Sequence, residues 1–186
     1  MEALTKFLEY PGVQTILDLG SGEGTEAKVM RDRGRTVTTI SLVPPADVIG
    51  DYAFWDAPSL FDGIWCSHCL EHQPNVHQFL RKMGRDLREG GILAVIVPPL
   101  KHEVVGGHLN LFNAGTLLYN LIVAGFDCSK ARVGCYGYNI AVLMQKNLIK
   151  SMPDLVWDSG DIERLAPFFP MPVREGFGGK TLNIRW

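Results

Sequence analysis

Apolar and polar positions along this chain alternate between two textures: short runs that are apolar throughout, and longer stretches where apolar residues recur every three or four positions. Val13–Leu19 (VQTILDL) ends in a glycine cluster and predicts a strand buried on both faces. Thr25–Arg33 has helical spacing, and Gly34 stands where a left-handed residue ends a helix. Arg35–Leu42 (RTVTTISL) is β-branched and predicts a second strand, stopped by Pro44 and Pro45. Ala46–Ile49 predicts a short third strand, and Phe61–Ser67 (FDGIWCS) a fourth. A helix is expected from Asn75 to Leu87, opened by Pro74 and closed by Gly90-Gly91. Ile92–Val97 (ILAVIV) predicts a fifth strand ahead of Pro98-Pro99, and Asn113–Ala124 a helix ending at Gly125. Asp127–Val133 and Tyr138–Gln145 complete the series as strands.

Strands alternating with helices predict an α/β fold, a mostly parallel sheet covered on both faces. No internal repeat interrupts the series. From Asn147 the texture changes, because Pro167, Pro170 and Pro172 limit regular structure. The chain therefore divides into a domain over residues 1–146 and a C-terminal extension over 147–186. Asp161–Leu165 predicts a short helix in the extension. Trp157, Phe168, Phe169, Phe177 and Trp186 are expected to pack on the domain or on a partner subunit, which leaves a homodimer open.

Composition narrows the function classes. Of 186 residues, 46% are hydrophobic and 20% charged, the balance of a globular chain rather than a disordered one. A net charge of −2 argues against nucleic acid as the partner, since phosphate binding needs a cationic surface. MEALTKFLEY lacks the basic and apolar regions of a signal peptide. The Ile92–Val97 run is too short to span a bilayer, and four cysteines do not make a disulfide framework. A cytoplasmic protein with no membrane partner is the resulting expectation.

The strongest local signal is Asp18-Leu19-Gly20-Ser21-Gly22-Glu23-Gly24, between the first strand and the first helix. Glycines let the backbone turn sharply and let a ligand approach without meeting a Cβ, and the helix behind offers free N–H groups. A dinucleotide fingerprint counted from Gly20 would need glycine at position 25, which is Thr25. Asp18 would also repel a pyrophosphate while suiting a ligand with an ammonium and a sulfonium. A nicotinamide-dependent oxidoreductase is the weaker reading on both grounds.

ILDLGSGEGTEAKVM resembles the first motif of Rossmann-like, S-adenosylmethionine-dependent methyltransferases. Gly50-Asp51 is similar to that family's acidic motif after strand three, and FDGIWCSHCLEHQPN to its strand four and following loop. LREGGILAVIVPP resembles the stretch into strand five, and HLNLFNAGTLLYNLIVAGFD a later pattern of the small-molecule methyltransferases. The likeness covers about residues 13 to 145. It implies a doubly wound, seven-stranded sheet with the last strand antiparallel, S-adenosylmethionine as cofactor, and O- or N-methylation of a small molecule. It also implies that Gly20, Ser21, Gly22 and Gly24 line the methionine part of the cofactor, with Asp18 facing its amino group. Asp51, with Tyr52 beside it, would meet the adenine, and Ser67 and His68 would form the edge after strand four. Ser41 stands where the family usually carries the carboxylate that binds the ribose. A serine makes one neutral hydrogen bond there instead of two charge-assisted ones, which keeps a non-catalytic binding or scaffold protein in view.

Trp65-Cys66-Ser67-His68-Cys69 matches the W-C-x-x-C of redox proteins, but the residues on both sides fit the methyltransferase pattern better, and the cysteines read as packing residues. Cys66, Cys69, His68, His72 and His77 lack the spacing of a structural zinc site, so no metal is assigned. Glu71-His72 is expected to organise its loop. Cys128 and Cys135 are expected in the sixth strand and its turn. His108, in the loop after strand five, is the candidate general base.

Overall fold

The apolar runs form strands because each is buried on both faces, and alternate residues feed two separate cores. The computed structural model describes residues 1–181 and 183–186. Its strands are β1 (Thr15–Leu19), β2 (Thr36–Ser41), β3 (Val48–Ile49), β4 (Phe61–Ser67), β5 (Leu87–Val97), β6 (Arg132–Tyr136) and β7 (Asn139–Gln145). They make one seven-stranded sheet of order β3-β2-β1-β4-β5-β7-β6. β7 runs antiparallel to both β5 and β6, and the other neighbours pair in parallel. This is the doubly wound, mostly parallel sheet expected, with β7 as its antiparallel member.

On one face Leu17, Leu19, Ile64, Cys66, Leu93 and Val95 pack with helices α3 (Val76–Asp86) and α4 (Ala114–Val123). On the other, Ile16, Trp65, Ile92, Ala94 and Ile96 pack with α1 (Glu2–Leu8) and α2 (Thr25–Asp32). The odd–even split follows from the two-residue period of a strand. Helix α1, absent from the sequence expectations, buries Ala3, Leu4 and Phe7. The Phe7 ring lies 5.3 Å from that of Trp65. Gly63 makes this possible, since a Cβ there would sit 2.7 Å from Phe7.

β1 and β3 each begin two residues later than the sequence reading, at Thr15 and Val48, and two boundaries differ more. The sixth strand begins at Arg132, not Asp127, because Asp127 Oδ1 accepts from Ser129 N at 2.9 Å and closes a local turn. Cys128 is therefore a buried turn residue and Cys135 an exposed strand residue. β5 also starts at Leu87, directly after α3, and pairs through a register shift opposite Phe61 and Gly63.

The segment after Asn147 lies along α4 and the β6 edge. Gly115 N donates to Gly179 O at 2.8 Å, and Ile184 exchanges backbone hydrogen bonds with Val133 at 2.8 and 3.1 Å. Trp186 stacks over Gly134, where any Cβ would collide with the indole. The segment includes a short helix, α5 (Asp161–Leu165). Phe169 is buried, and Phe168, Phe177 and Trp186 are partly covered. Trp157 is not: it stays 69% exposed, because Asp161 accepts from the Val156 and Trp157 backbone at 3.1 and 2.7 Å and turns the indole outward. Among the described residues no helix is long and apolar enough to cross a membrane.

Candidate active site

All the parallel strands end on one side, and ligands in such sheets bind outside those carboxyl ends. A cavity of about 570 Å³ opens there, within the range of small-molecule sites. Gly20 after β1, Ser41, Leu42 and Val43 after β2, Gly50-Asp51 after β3, and His68, Cys69 and His72 after β4 line it. Gly20 N donates to Ile40 O at 2.9 Å, which draws the glycine loop against the end of β2.

Gly20, Gly22 and Gly24 all have positive φ, at +71°, +50° and +73°. They are not equivalent. A Cβ on Gly20 would lie 2.9 Å from Cys69 Sγ, whereas Gly22 and Gly24 face open space. Gly24 is also the N-cap of α2 and has no side chain to offer, so the first-turn N–H groups stay free of a side-chain cap. Beneath the loop, Asp18 is 2% exposed and its Oδ2 has no partner; the buried Ser21 hydroxyl has none either. Burial, reinforced by Glu26 and opposed by Arg31, pushes the Asp18 carboxyl up to about 7. A buried carboxylate without a donor is costly, and a cationic ligand group is one remedy.

Five of the expected cofactor residues, Gly20, Ser41, Asp51, Tyr52 and His68, line the cavity together. Asp18, Ser21, Gly22, Gly24 and Ser67 do not reach its wall. Ser41 sits at the rim, where Val43 N donates weakly to its hydroxyl at 3.4 Å. Asp51 spends one oxygen on Ala53 N at 2.8 Å. The Tyr52 hydroxyl points away and donates to Asp86 at 2.7 Å, with Lys82 on the same carboxylate at 2.8 Å. Tyr52 therefore offers its ring alone. Leu42 and Val43, both well exposed, were not singled out from the sequence; their position just past β2 was the available signal.

Glu71 was expected, with His72, mainly to organise its loop. It is 0% exposed and neither carboxylate oxygen has a hydrogen-bond partner. His68 Nδ1 lies 3.6 Å from Oε1 and His72 Nε2 3.7 Å. The Glu71 carboxylate, with Asn139, raises the His68 pKa against the opposing effect of burial. His68 is held at φ +50°, a left-handed backbone that a side-chain-bearing residue adopts at some cost. His108 does not line the cavity; its ring stands edge-on to His72 with centroids 5.0 Å apart. Cys66 is buried, and its hydrogen bond with Cys69 together with burial holds its thiol well above the ordinary value, the opposite of an activated redox cysteine.

A doubly wound sheet whose glycine loop, acidic turn and β4 edge enclose one cavity defines the Rossmann-like methyltransferase class. The sequence profile of the methyltransferase domain matches residues 1–128, and the chain belongs to that family. It is 32% identical to the 2-methyl-6-phytyl-1,4-hydroquinone methyltransferase of Synechocystis sp. (strain ATCC 27184 / PCC 6803 / Kazusa), over 46% of this chain and 32% of that protein. The chain thus spans about a third of that relative's length. Among solved structures it superposes on Burkholderia thailandensis 1,6-didemethyltoxoflavin-N1-methyltransferase, bound to its didemethyltoxoflavin and S-adenosylhomocysteine. The TM-score is 0.66 at 20% identity, covering 78% of this chain and 76% of the other. A SAM-dependent methyltransferase from Archaeoglobus fulgidus gives a TM-score of 0.62 at 14% identity, covering 78% and 92%.

Proposed function

We propose that the protein is an S-adenosylmethionine-dependent methyltransferase acting on a small molecule at oxygen or nitrogen. The carrying observation is the cavity at the carboxyl ends of β1, β2 and β4, with the unpartnered, buried Asp18 carboxylate beneath its glycine loop. Bound S-adenosylmethionine supplies a methyl group on a sulfonium, which an acceptor takes by in-line displacement. The loop Gly20–Gly24 would hold its methionine end, with Asp18 as counter-charge to the ammonium. Ser41 and Asp51 would meet the ribose and adenine, while Leu42 and Val43 present apolar surface to a flat ring. His68 faces the cavity, fixed by Asn139 at Nε2 and Glu71 near Nδ1, and would position an acceptor held there, whose proton would leave to water; His108 stands one ring behind, next to His72. Positioning accounts for much of such a rate, so no covalent nucleophile is needed.

Calorimetric titration with S-adenosylhomocysteine, S-adenosylmethionine and NAD tests this. Binding of the first two with a raised Tm is the expected result. Binding of NAD alone, or of none, overturns it. Ser41, in place of the usual ribose carboxylate, favours a second reading, a ligand-binding protein of the same fold without catalysis. Cofactor binding without transfer to any acceptor would support that reading.

A further inference from the structure

We infer that Glu71, His72 and His108 form a site for a divalent transition-metal cation on the wall of the cavity. Their ligand atoms lie within 4.8 Å of one another. The argument rests on where lone pairs point. His72 Nδ1 is 2.8 Å from Gly107 O, a group that can only accept, so Nδ1 carries the hydrogen. The Nε2 lone pair then faces Glu71 Oε1 at 3.7 Å. His68 stands beside the same carboxylate, its Nε2 2.8 Å from Asn139 Oδ1 and its Nδ1 3.6 Å from Glu71 Oε1. The His72 lone pair therefore faces a fully buried carboxylate with no hydrogen-bond partner on either oxygen. Positive charge between these members, as a bound cation or a proton, offsets the cost of the buried carboxylate.

The support is that of a built metal site. A ligating imidazole ordinarily donates its other N–H to a carbonyl or carboxylate, as His72 does to Gly107. Gly107 has φ +81°, and a Cβ there would sit 3.1 Å from His72 Nδ1, so glycine keeps the carbonyl in reach. Leu109 N and Asn110 N both donate to Glu71 O, at 2.9 and 3.0 Å, and fix the His108 segment against the Glu71 turn. Two imidazoles and one carboxylate with an open side select zinc-like cations over magnesium or calcium. His72 also lines the cavity, so a cation there would border the space in which methyl transfer is proposed. Its use rests on the methyl-transfer reading: the cation would bind an acceptor hydroxyl as its oxyanion, with the proton leaving to water, and present that oxygen to the methyl group. The substrate class implied is a phenol, enol or similar ionisable hydroxyl.

The test uses the full chain, stripped with chelator and titrated with Zn²⁺ by calorimetry and with Co²⁺ by visible absorption. The parent is expected to bind one Zn²⁺ and to give Co²⁺ a low-symmetry spectrum. His72→Ala and His108→Ala should each weaken Zn²⁺ by more than the roughly 10–100-fold typical of outer-shell partners. His102→Ala, on the same loop but outside the cluster, should leave it unchanged. Glu71→Gln alters a fully buried group and is read beside circular dichroism, and the partly exposed His108 carries the decision. No Zn²⁺ binding by the parent at millimolar concentration, or His108→Ala binding like the parent, overturns the site. S-adenosylhomocysteine is titrated in parallel. Zn²⁺ binding without it supports the metal site while removing the methyl-transfer reading.

Discussion

The two halves of the candidate site are built from different materials. The floor, the loop from Gly20 to Gly24, bends at three glycines through left-handed conformations, and it works by having no side chains at those three positions. The wall, Glu71 with His68, His72 and His108, is side-chain chemistry gathered from the turn after β4 and the loop after β5. A backbone site fails when atoms are added and tolerates changes around it. A side-chain site fails when one group is removed or turned. Substitutions on either side should therefore separate cofactor binding from whatever the wall does.

The largest effect is expected at Gly20. Valine there meets Cys69 Sγ and must hold φ +71°, so S-adenosylhomocysteine affinity should fall more than roughly 100-fold, about 2.7 kcal/mol. Gly22, in open space, should pass alanine at the cost of left-handed strain alone, about 1–2 kcal/mol of stability. Equal binding by Gly20→Val and the parent would remove the loop from the site.

On the wall, Gly107→Val should displace His72 and weaken Zn²⁺ about 10–100-fold, with a smaller loss of S-adenosylhomocysteine than Gly20→Val shows. The reverse ranking would merge the two halves into one.

A third effect is set by pH. The Asp18 carboxyl ionises at 3.8 ordinarily and at about 7 in the folded chain. Between these values the folded state binds more protons than the unfolded, so this group lowers stability as pH rises from about 4 to 7 and adds no further slope above. Urea melts of Asp18→Asn should lack that fall. A cationic ligand favours the carboxylate, so S-adenosylhomocysteine affinity should rise with pH toward 7 in the parent. In Asp18→Asn it should stay flat and be about tenfold weaker at pH 8. Parallel pH profiles would detach Asp18 from the ligand.

The smallest expected change is a gain. Ser41→Asp should strengthen S-adenosylhomocysteine binding by about 1 kcal/mol, the lower end for a charge-assisted hydrogen bond over a neutral one. A marked loss would mean that another group already serves the ribose.

The chain announces its strands because a strand buried on both faces needs a mostly apolar run, which β1 and β4 have and which is unbroken in the core of β5. Helix α3 is equally plain, since Asn75 caps it by accepting from Gln78 N. Helix α1 escaped because its seven residues acquire a buried face from the sheet, from Trp65 and residues of β5 and β7 elsewhere in the chain. The start of β6 escaped because an Asp127 side-chain hydrogen bond outcompeted a strand-like pattern.

The sequence by itself determined the sheet's alternation, the glycine loop and the residues at the strand ends, all of which depend on neighbours a few positions apart. Only the tertiary structure decided which glycine is intolerant of a Cβ, because Cys69 belongs to a different strand's turn. It turned the Tyr52 hydroxyl to Asp86, left Trp157 in solvent and laid Trp186 over Gly134. It also joined His72 to Gly107, 35 residues on, and brought His108 to Glu71. Local pattern records which surface a residue prefers. Partners across a sheet edge are chosen by loop closure and side-chain packing, for which no short spacing in the chain is a sign.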